Sequence, residues 1–168
     1  IAQAHSINIS TAKALKDKFG ERYTGILYGG FMATVNGVKL IEYNARFGDP
    51  EAMNVLSLLE TDFIDICVGI VEGTLDQVDV RFANKATVCK YAVPEGYPDS
   101  PVKGEPIDVS GISNPDGLFY ASVDIQNGQL VEAGSRTLAV VGIACSISEA
   151  EAAAEKEVSS FKGPLFHR

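Results

Sequence analysis

Three polar side chains recur at a spacing of two in Ile41-Glu42-Tyr43-Asn44-Ala45-Arg46. Alternate residues of an extended strand share a face, so Glu42, Asn44 and Arg46 point the same way, and Leu40 continues that face as an apolar residue. A carboxylate and an amide oxygen are hard ligands of the kind Mg²⁺ accepts, with water and substrate phosphates completing its shell. A guanidinium two residues further on can grip phosphate or carboxylate oxygens in a bidentate way. The chemistry such a row would serve is charge neutralisation around a polyphosphate. Alternating polar residues also describe an ordinary solvated strand face, and spacing alone leaves both readings open. Beyond the row, Phe47-Gly48 reads as a turn. Asp49 then reads as an N-cap, Pro50 as the first helical residue and Glu51 as a first-turn acid. An exposed helix start of this kind either receives an anion or has no further role.

The row must be held by a hairpin. Two β-rich runs, residues 25–35 and 38–46, flank Asn36-Gly37, the residue pair that a type I′ turn favours because both central positions need positive φ. With those two residues as the loop, Val35 faces Val38, Leu40 faces Ala33, Glu42 faces Phe31 and Asn44 faces Gly29. The missing side chain at Gly29 then leaves space over the polar row. Ahead of the hairpin, Ala12, Leu15 and Phe19 mark the end of an amphipathic helix that stops at Gly20 and extends back through Ile9, Ala4 and Ile1. Behind it, one helix is expected through Met53, Val55, Leu56, Leu58 and Leu59. A second starts at Thr61-Asp62 and runs through Phe63, Ile66, Cys67 and Ile70 to Gly73. Residues 77–84 read as a linker.

After the linker the apolar period changes to two. Strands are expected over residues 85–93, 118–125, 129–133 and 137–144, with a Pro- and Gly-rich loop over 94–106. Asn127-Gly128 marks a second hairpin. Ser148 and Glu151 match a capping box that opens a helix running through Phe161. The expected fold class is α+β in two parts: residues 1–84, with antiparallel strands packed on helices, and residues 85–168, a small β-rich domain closed by one helix.

Bulk properties narrow the function classes. The 168 residues are 46% apolar and 21% charged, ordinary for a globular chain, and no apolar run approaches the ~20 residues that span a bilayer. The net charge of −8 argues against a general nucleic-acid binder. Cys67, Cys89 and Cys145 are scattered in apolar stretches, which reads as buried free thiols of a reducing, cytoplasmic compartment. The start at Ile1 and the finish at Phe166-His167-Arg168 read as cuts from something longer.

The string Tyr23-Thr24-Gly25-Ile26-Leu27-Tyr28, followed by Glu42-Tyr43-Asn44-Ala45-Arg46-Phe47-Gly48-Asp49-Pro50-Glu51, resembles the phosphoribosylamine–glycine ligase family, also called glycinamide ribonucleotide synthetase. The acid-x-Asn-x-Arg strand is common to ATP-grasp enzymes; the continuation through Glu51 is much narrower. Gly96-Tyr97-Pro98, Gly134-Ser135-Arg136-Thr137-Leu138 and Phe166-His167-Arg168 resemble later motifs of the same family, with Ser135 where the family commonly has Gly. The resemblance implies that residues 1–84 are the carboxy-terminal lobe of an ATP-grasp fold and residues 85–168 a barrel-sandwich-like tail domain. It also implies a ligase that joins glycine and 5-phosphoribosylamine with ATP through a glycyl phosphate. Carried over, Glu42 and Asn44 would be Mg²⁺ or Mn²⁺ ligands, and Arg46 the catalytic contact to phosphate or acyl group. Asp49, Pro50 and Glu51 would form the loop that receives the amine. Arg136 would reach a phosphate, with a strand-edge salt bridge as its plainer role, and Arg168 would approach the site in the longer protein. Partners are then small molecules, with no nucleic acid and no membrane, and the protein a monomer or homodimer. The adenine-binding lobe is absent from the sequence, so this chain alone is expected to be inactive. Another ATP-grasp ligase or carboxylase of nucleotide biosynthesis, and a non-catalytic nucleotide-binding module, are the alternatives. His5, His167, Tyr97 and Tyr120 read as surface, loop or packing residues, and the acids of residues 149–157 as a solvated helix face.

Overall fold

The computed structural model describes residues 1–167; Arg168 lies outside the described residues. The architecture is α+β with antiparallel sheets. The chain forms two units, residues 1–52 with 59–82, and residues 53–58 with 83 onward.

The first unit opens with α1 (Ala2–Phe19), which stops at Gly20 in the left-handed conformation, φ 78°. A hairpin of β1 (Tyr28–Thr34) and β2 (Gly37–Asn44) follows. Its two faces differ. On one, the ring of Tyr43 meets Phe31 edge-to-face at 6.5 Å, and the Tyr43 hydroxyl is bonded to Asn8 and Thr11 of α1. Gly29 lies on that face because a Cβ there would come within 2.6 Å of the Phe31 ring. The other face carries the polar row. α2 (Glu51–Leu56) begins at Glu51, after a turn made by Asp49 and Pro50. Asp49 is therefore not the N-cap and Pro50 not a helical residue: the first backbone bond here runs from Ala52 N–H to the Gly48 carbonyl. The helix also ends before Leu58 and Leu59, because Leu59 bridges to Phe82. α3 (Phe63–Glu72) has the expected ends, with the Asp62 carboxylate accepting from Ile64 N–H at 2.8 Å and Gly73 left-handed at φ 72°. The segment read as a linker is tied down in part. Thr61 Oγ1 accepts from Arg81 N–H and donates to the Asp79 carbonyl.

The second unit holds the main core. A four-stranded sheet has the order β4-β7-β3-β8, built from β4 (Leu118–Tyr120), β7 (Leu138–Ala144), β3 (Ala86–Pro94) and β8 (Leu165–His167). A separate hairpin joins β5 (Val123–Gln126) to β6 (Gln129–Glu132). The strand expected over 118–125 is thus two strands in different sheets. The chain turns between them at Ala121 and Ser122, whose N–H groups bond to Thr137 and Arg136 carbonyls. α4 (Ile147–Val158) packs Ala150, Ala154 and Val158 into a core with Ala92, Leu138 and Val140, where each buried Leu or Val side chain contributes about 1.5–3 kcal/mol. The capping box of α4 is Ser146 with Glu149, not Ser148 with Glu151. Starting two residues earlier puts the alanines on the sheet and leaves Glu151 to bind Lys90.

The acids of α4 are not a simply solvated face. Glu151 and Glu155 both accept from Lys90 of β3, Glu155 also meets His167 of β8 at 3.0 Å, and Glu157 accepts from Ser113 and Asn114. Lys90, then His167, hold the Glu155 carboxyl down at about 2, and the same glutamates hold the Lys90 ammonium above its ordinary value. His167 is consequently a strand residue and not part of a loop. The cysteines are free but not buried: Cys67 and Cys145 are exposed and Cys89 half-buried. Cys67 points away from the side of α3 that buries Ile66 and Gly69.

Glu132 is the unusual core position. It is 1% exposed, and neither carboxyl oxygen has a hydrogen-bond partner. Burial, then the charges of Glu105 and Glu95, push its carboxyl above the ordinary range. A carboxyl raised on folding adds stability below its unfolded value, near 4.3, and loses that contribution as pH rises through the folded value. Glu132→Gln is therefore expected to unfold at higher denaturant than the parent at pH 7, with the gap closing toward pH 4. Glu132→Met is expected to gain about 1–3 kcal/mol at pH 7 by removing a buried polar group that lacks partners. Urea titrations at the two pH values check both, and an unchanged gap would refute the pH dependence.

Candidate functional site

The structure corrects the register of the hairpin that carries the polar row. Thr34 closes the turn one residue early: its Oγ1 accepts from Asn36 N–H at 3.2 Å and donates to the Gly37 carbonyl at 2.7 Å. Gly37 (φ 92°) then pairs with Thr34, and Ala33, not Val35, faces Val38. Further along, Phe31 pairs with Leu40 but Gly30 with Glu42, so Ile41 is the extra residue of a bulge. Glu42 therefore faces Gly30 instead of Phe31, and Asn44 faces Tyr28 instead of Gly29. The open space expected opposite Asn44 is not there, because Tyr28 occupies that position, and the glycine on this face, Gly30, lies opposite Glu42. A Cβ on Gly30 would lie 3.4 Å from Glu42 Cγ.

Glu42 and Asn44 do share a face, since Asn44 Nδ2 donates to Glu42 Oε1 at 3.2 Å. That contact leaves Glu42 Oε2 and Asn44 Oδ1 as two neighbouring hard oxygens, a donor set that fits a Mg²⁺ or Mn²⁺ ion completed by water and phosphate. Glu42 is exposed and Asn44 half-buried, so an ion held there would be open to solvent. Arg46 is exposed, with NH1 donating to the Phe47 carbonyl at 2.8 Å. The Phe47 ring packs against Phe63 of α3 at 6.0 Å, which anchors the turn that follows the row.

Glu51 joins this group from the start of α2. The cause is Gly48, which is buried: a Cβ there would fall 2.3 Å from Glu51 Oε2 and 3.0 Å from Tyr28 Cε1. Glu51 is folded over Gly48 beside the Tyr28 ring. Burial, then the neighbouring Glu51 and Glu42 carboxylates, push the Tyr28 phenol above its ordinary value. Tyr28 and Gly48 were not singled out by residue type and spacing. The correct strand register would have exposed Tyr28 as the residue opposite Asn44. Asp49 and Pro50 form the turn between the row and Glu51. Arg136 belongs to the second unit, where its guanidinium lies 5.3 Å over the Tyr91 ring. Among the described residues no group of three or more His, Cys, Asp or Glu is arranged to hold a metal by itself. No helix among them is long and apolar enough to cross a membrane.

The comparisons with known proteins converge. The family model described as phosphoribosylglycinamide synthetase, ATP-grasp (A) domain, matches residues 2–52, and the model for the C domain of the same synthetase matches residues 87–168. A protein of Methanocaldococcus jannaschii named phosphoribosylamine–glycine ligase is 55% identical over 168 residues, which cover 98% of this chain and 38% of that protein. Its namesake in Methanosarcina barkeri is 49% identical over 168 residues, covering 100% of this chain and 39% of the relative. A crystal structure of phosphoribosylamine–glycine ligase from Thermotoga maritima matches with a TM-score of 0.75 at 28% identity, covering 90% of this chain and 38% of that one. The chain thus spans 38–39% of the length of these curated relatives.

Proposed function

The chain belongs to the phosphoribosylglycinamide synthetase family, and from that premise we propose that it is the carboxy-terminal part of an enzyme joining glycine to 5-phosphoribosylamine at the expense of ATP. The observation that carries this reading is the contact between Glu42 and Asn44 on one strand face, with Glu51 brought to the same face over Gly48. The reaction has two steps. A glycine carboxylate oxygen attacks the γ-phosphorus of ATP, releasing ADP and leaving glycyl phosphate. The amine nitrogen of 5-phosphoribosylamine then attacks the acyl carbon, expelling phosphate and forming glycinamide ribonucleotide.

Phosphoryl transfer of this kind needs positioning and charge neutralisation more than covalent help. Glu42 and Asn44 would hold Mg²⁺ or Mn²⁺, which when bound neutralises polyphosphate charge. Arg46, exposed two residues past the end of β2, would bind a phosphate or acyl oxygen. Glu51, in the loop with Asp49 and Pro50, would accept hydrogen bonds from the amine or ribosyl hydroxyls. Arg136 would bind a phosphate, and we set the boundary of the tail domain to which it belongs near residue 84. The exposed apolar residues Ile9, Phe19, Met32 and Ile41 are consistent with a lobe that packs on further protein, so this chain alone is expected to be inactive. Another ATP-grasp carboxylate–amine ligase would need the same row, but the match over residues 87–168 favours the glycine ligase.

The test is ADP release by the full-length enzyme. Turnover is expected to require both glycine and 5-phosphoribosylamine, and ATP turnover indifferent to glycine would overturn the reading.

A further inference from the structure

The helix α3 is apolar on both sides. Ile66 and Gly69 are buried in its own unit, and that side is closely filled: a Cβ on Gly69 would lie 3.0 Å from Val78 Cγ2 and 3.2 Å from Leu75 Cα. The opposite side carries Ile64, Cys67, Val68 and Val71, whose spacing of three and four places them in one stripe along the helix. All four are exposed, Ile64 by 69% and Val71 by 78%. A helix side that faces water ordinarily carries polar residues, and a helix that is apolar all round is a buried one. The charges of α3 are Asp65 and Glu72, seven residues apart, and they border the stripe along one side. From Asp62 to Asp76 the chain has four acids and no basic residue.

We infer that this stripe is an interface inside the longer polypeptide: it seats an aliphatic segment from the part of the protein outside these 168 residues, with basic side chains of that segment beside Asp65 and Glu72. This rests on the reading of the chain as one part of a longer ligase. The stripe offers no polar group beyond a thiol, so a polar occupant would lose its hydrogen bonds to water without replacement. Three features favour this occupant over a second copy of the chain. The relative from Methanocaldococcus jannaschii is matched over only 38% of its length, so well over half of such a polypeptide is available to cover the helix. The stripe covers roughly a few hundred Å², short of the about 800 Å² per partner that holds two separate chains together. A tethered segment needs less, because it loses little translational freedom on docking. A second copy would also bring its own acids against Asp65 and Glu72.

Cys67 reports on the stripe from within it. In the native full-length enzyme it is expected to react with N-ethylmaleimide at least about 100-fold more slowly than in the urea-unfolded enzyme, because reaction must wait for a local opening. Mass spectrometry of the Cys67 peptide gives the rates, at two protein concentrations well apart, and equal protection at both is the expected result. Protection lost on dilution would put a second copy on the stripe, and a native rate within about threefold of the unfolded one would leave it open to water; either overturns the inference. Val71→Lys is expected to lower the melting temperature of the full-length enzyme by about 5 °C or more, since an ammonium would be buried among aliphatic side chains. On an open face the same change moves stability little, so an unaltered melting temperature would also overturn the inference. A variant too unstable to isolate leaves the decision to the Cys67 rates of the parent. If the parent turns over ATP without glycine, the ligase reading has failed, while the Cys67 rates still test the covering of α3.

Discussion

Glu42→Gln in the full-length enzyme is expected to cut glycine-dependent ATP turnover by about two to three orders of magnitude, comparable to losing a preorganised charge partner at a developing transition state. The substitution keeps the side chain's length and one carbonyl oxygen, so the bond from Asn44 Nδ2, now 3.2 Å, can persist. What it removes is the negative charge that would let Glu42 hold a divalent ion. The shortfall is expected to shrink as Mg²⁺ or Mn²⁺ concentration rises, because the lost affinity is for the ion. Lys39→Ala serves as the comparison: Lys39 is exposed on the same strand, opposite Met32, and its loss is expected to leave turnover unchanged. Rates for Glu42→Gln within threefold of the parent at every metal concentration would remove Glu42 from the metal site.

The largest expected effect on stability is at Gly142→Ala. Gly142 lies in β7, and a Cβ there would sit 2.0 Å from the Ala150 carbonyl oxygen and 2.7 Å from the Ala154 nitrogen. Both are backbone atoms of α4, so no side-chain rotation can relieve the clash. α4 must lift, and with it Ala150, Ala154 and Val158 leave the core. The cost is expected to be about 3 kcal/mol, the upper range for overpacking, and the melting temperature to fall by roughly 10 °C. Gly73→Ala makes an informative contrast. A Cβ there would touch nothing within 4 Å, and only its φ of 72° resists the change, which costs about 1 kcal/mol. Differential scanning calorimetry of the two variants checks the order. Equal losses would mean that α4 does not approach β7 as closely as described.

Much of the fold was legible wherever a few neighbouring residues decide the backbone. Asn127-Gly128 forms the expected hairpin turn, with φ of 51° and 78°, because those residues tolerate a conformation that others avoid. Asp62, Gly20 and Gly73 end their helices as read, since each cap involves atoms within one turn of the chain. Asn36-Gly37 shows the limit of the same signal. There the neighbouring Thr34 hydroxyl competes for the turn and shifts it by one residue.

By itself, the sequence determined the chemistry on offer. The residue types of Glu42 and Asn44, alternating on a strand, with Arg46 just beyond it, offered oxygen donors followed by a cation, and the run to Glu51 pointed to the family. Tertiary structure alone decided who meets whom. The bulge at Ile41 put Gly30 and Tyr28 opposite the row, and the void at Gly48 let Glu51 fold back to Tyr28. Lys90 gave the α4 acids a partner across 61 residues of chain. The reason is physical: backbone preferences act over a few residues, whereas strand register and side-chain pairing are set by packing between segments distant in sequence. The polar row was readable from the start, but the residues that organise it became visible only when the hairpin closed.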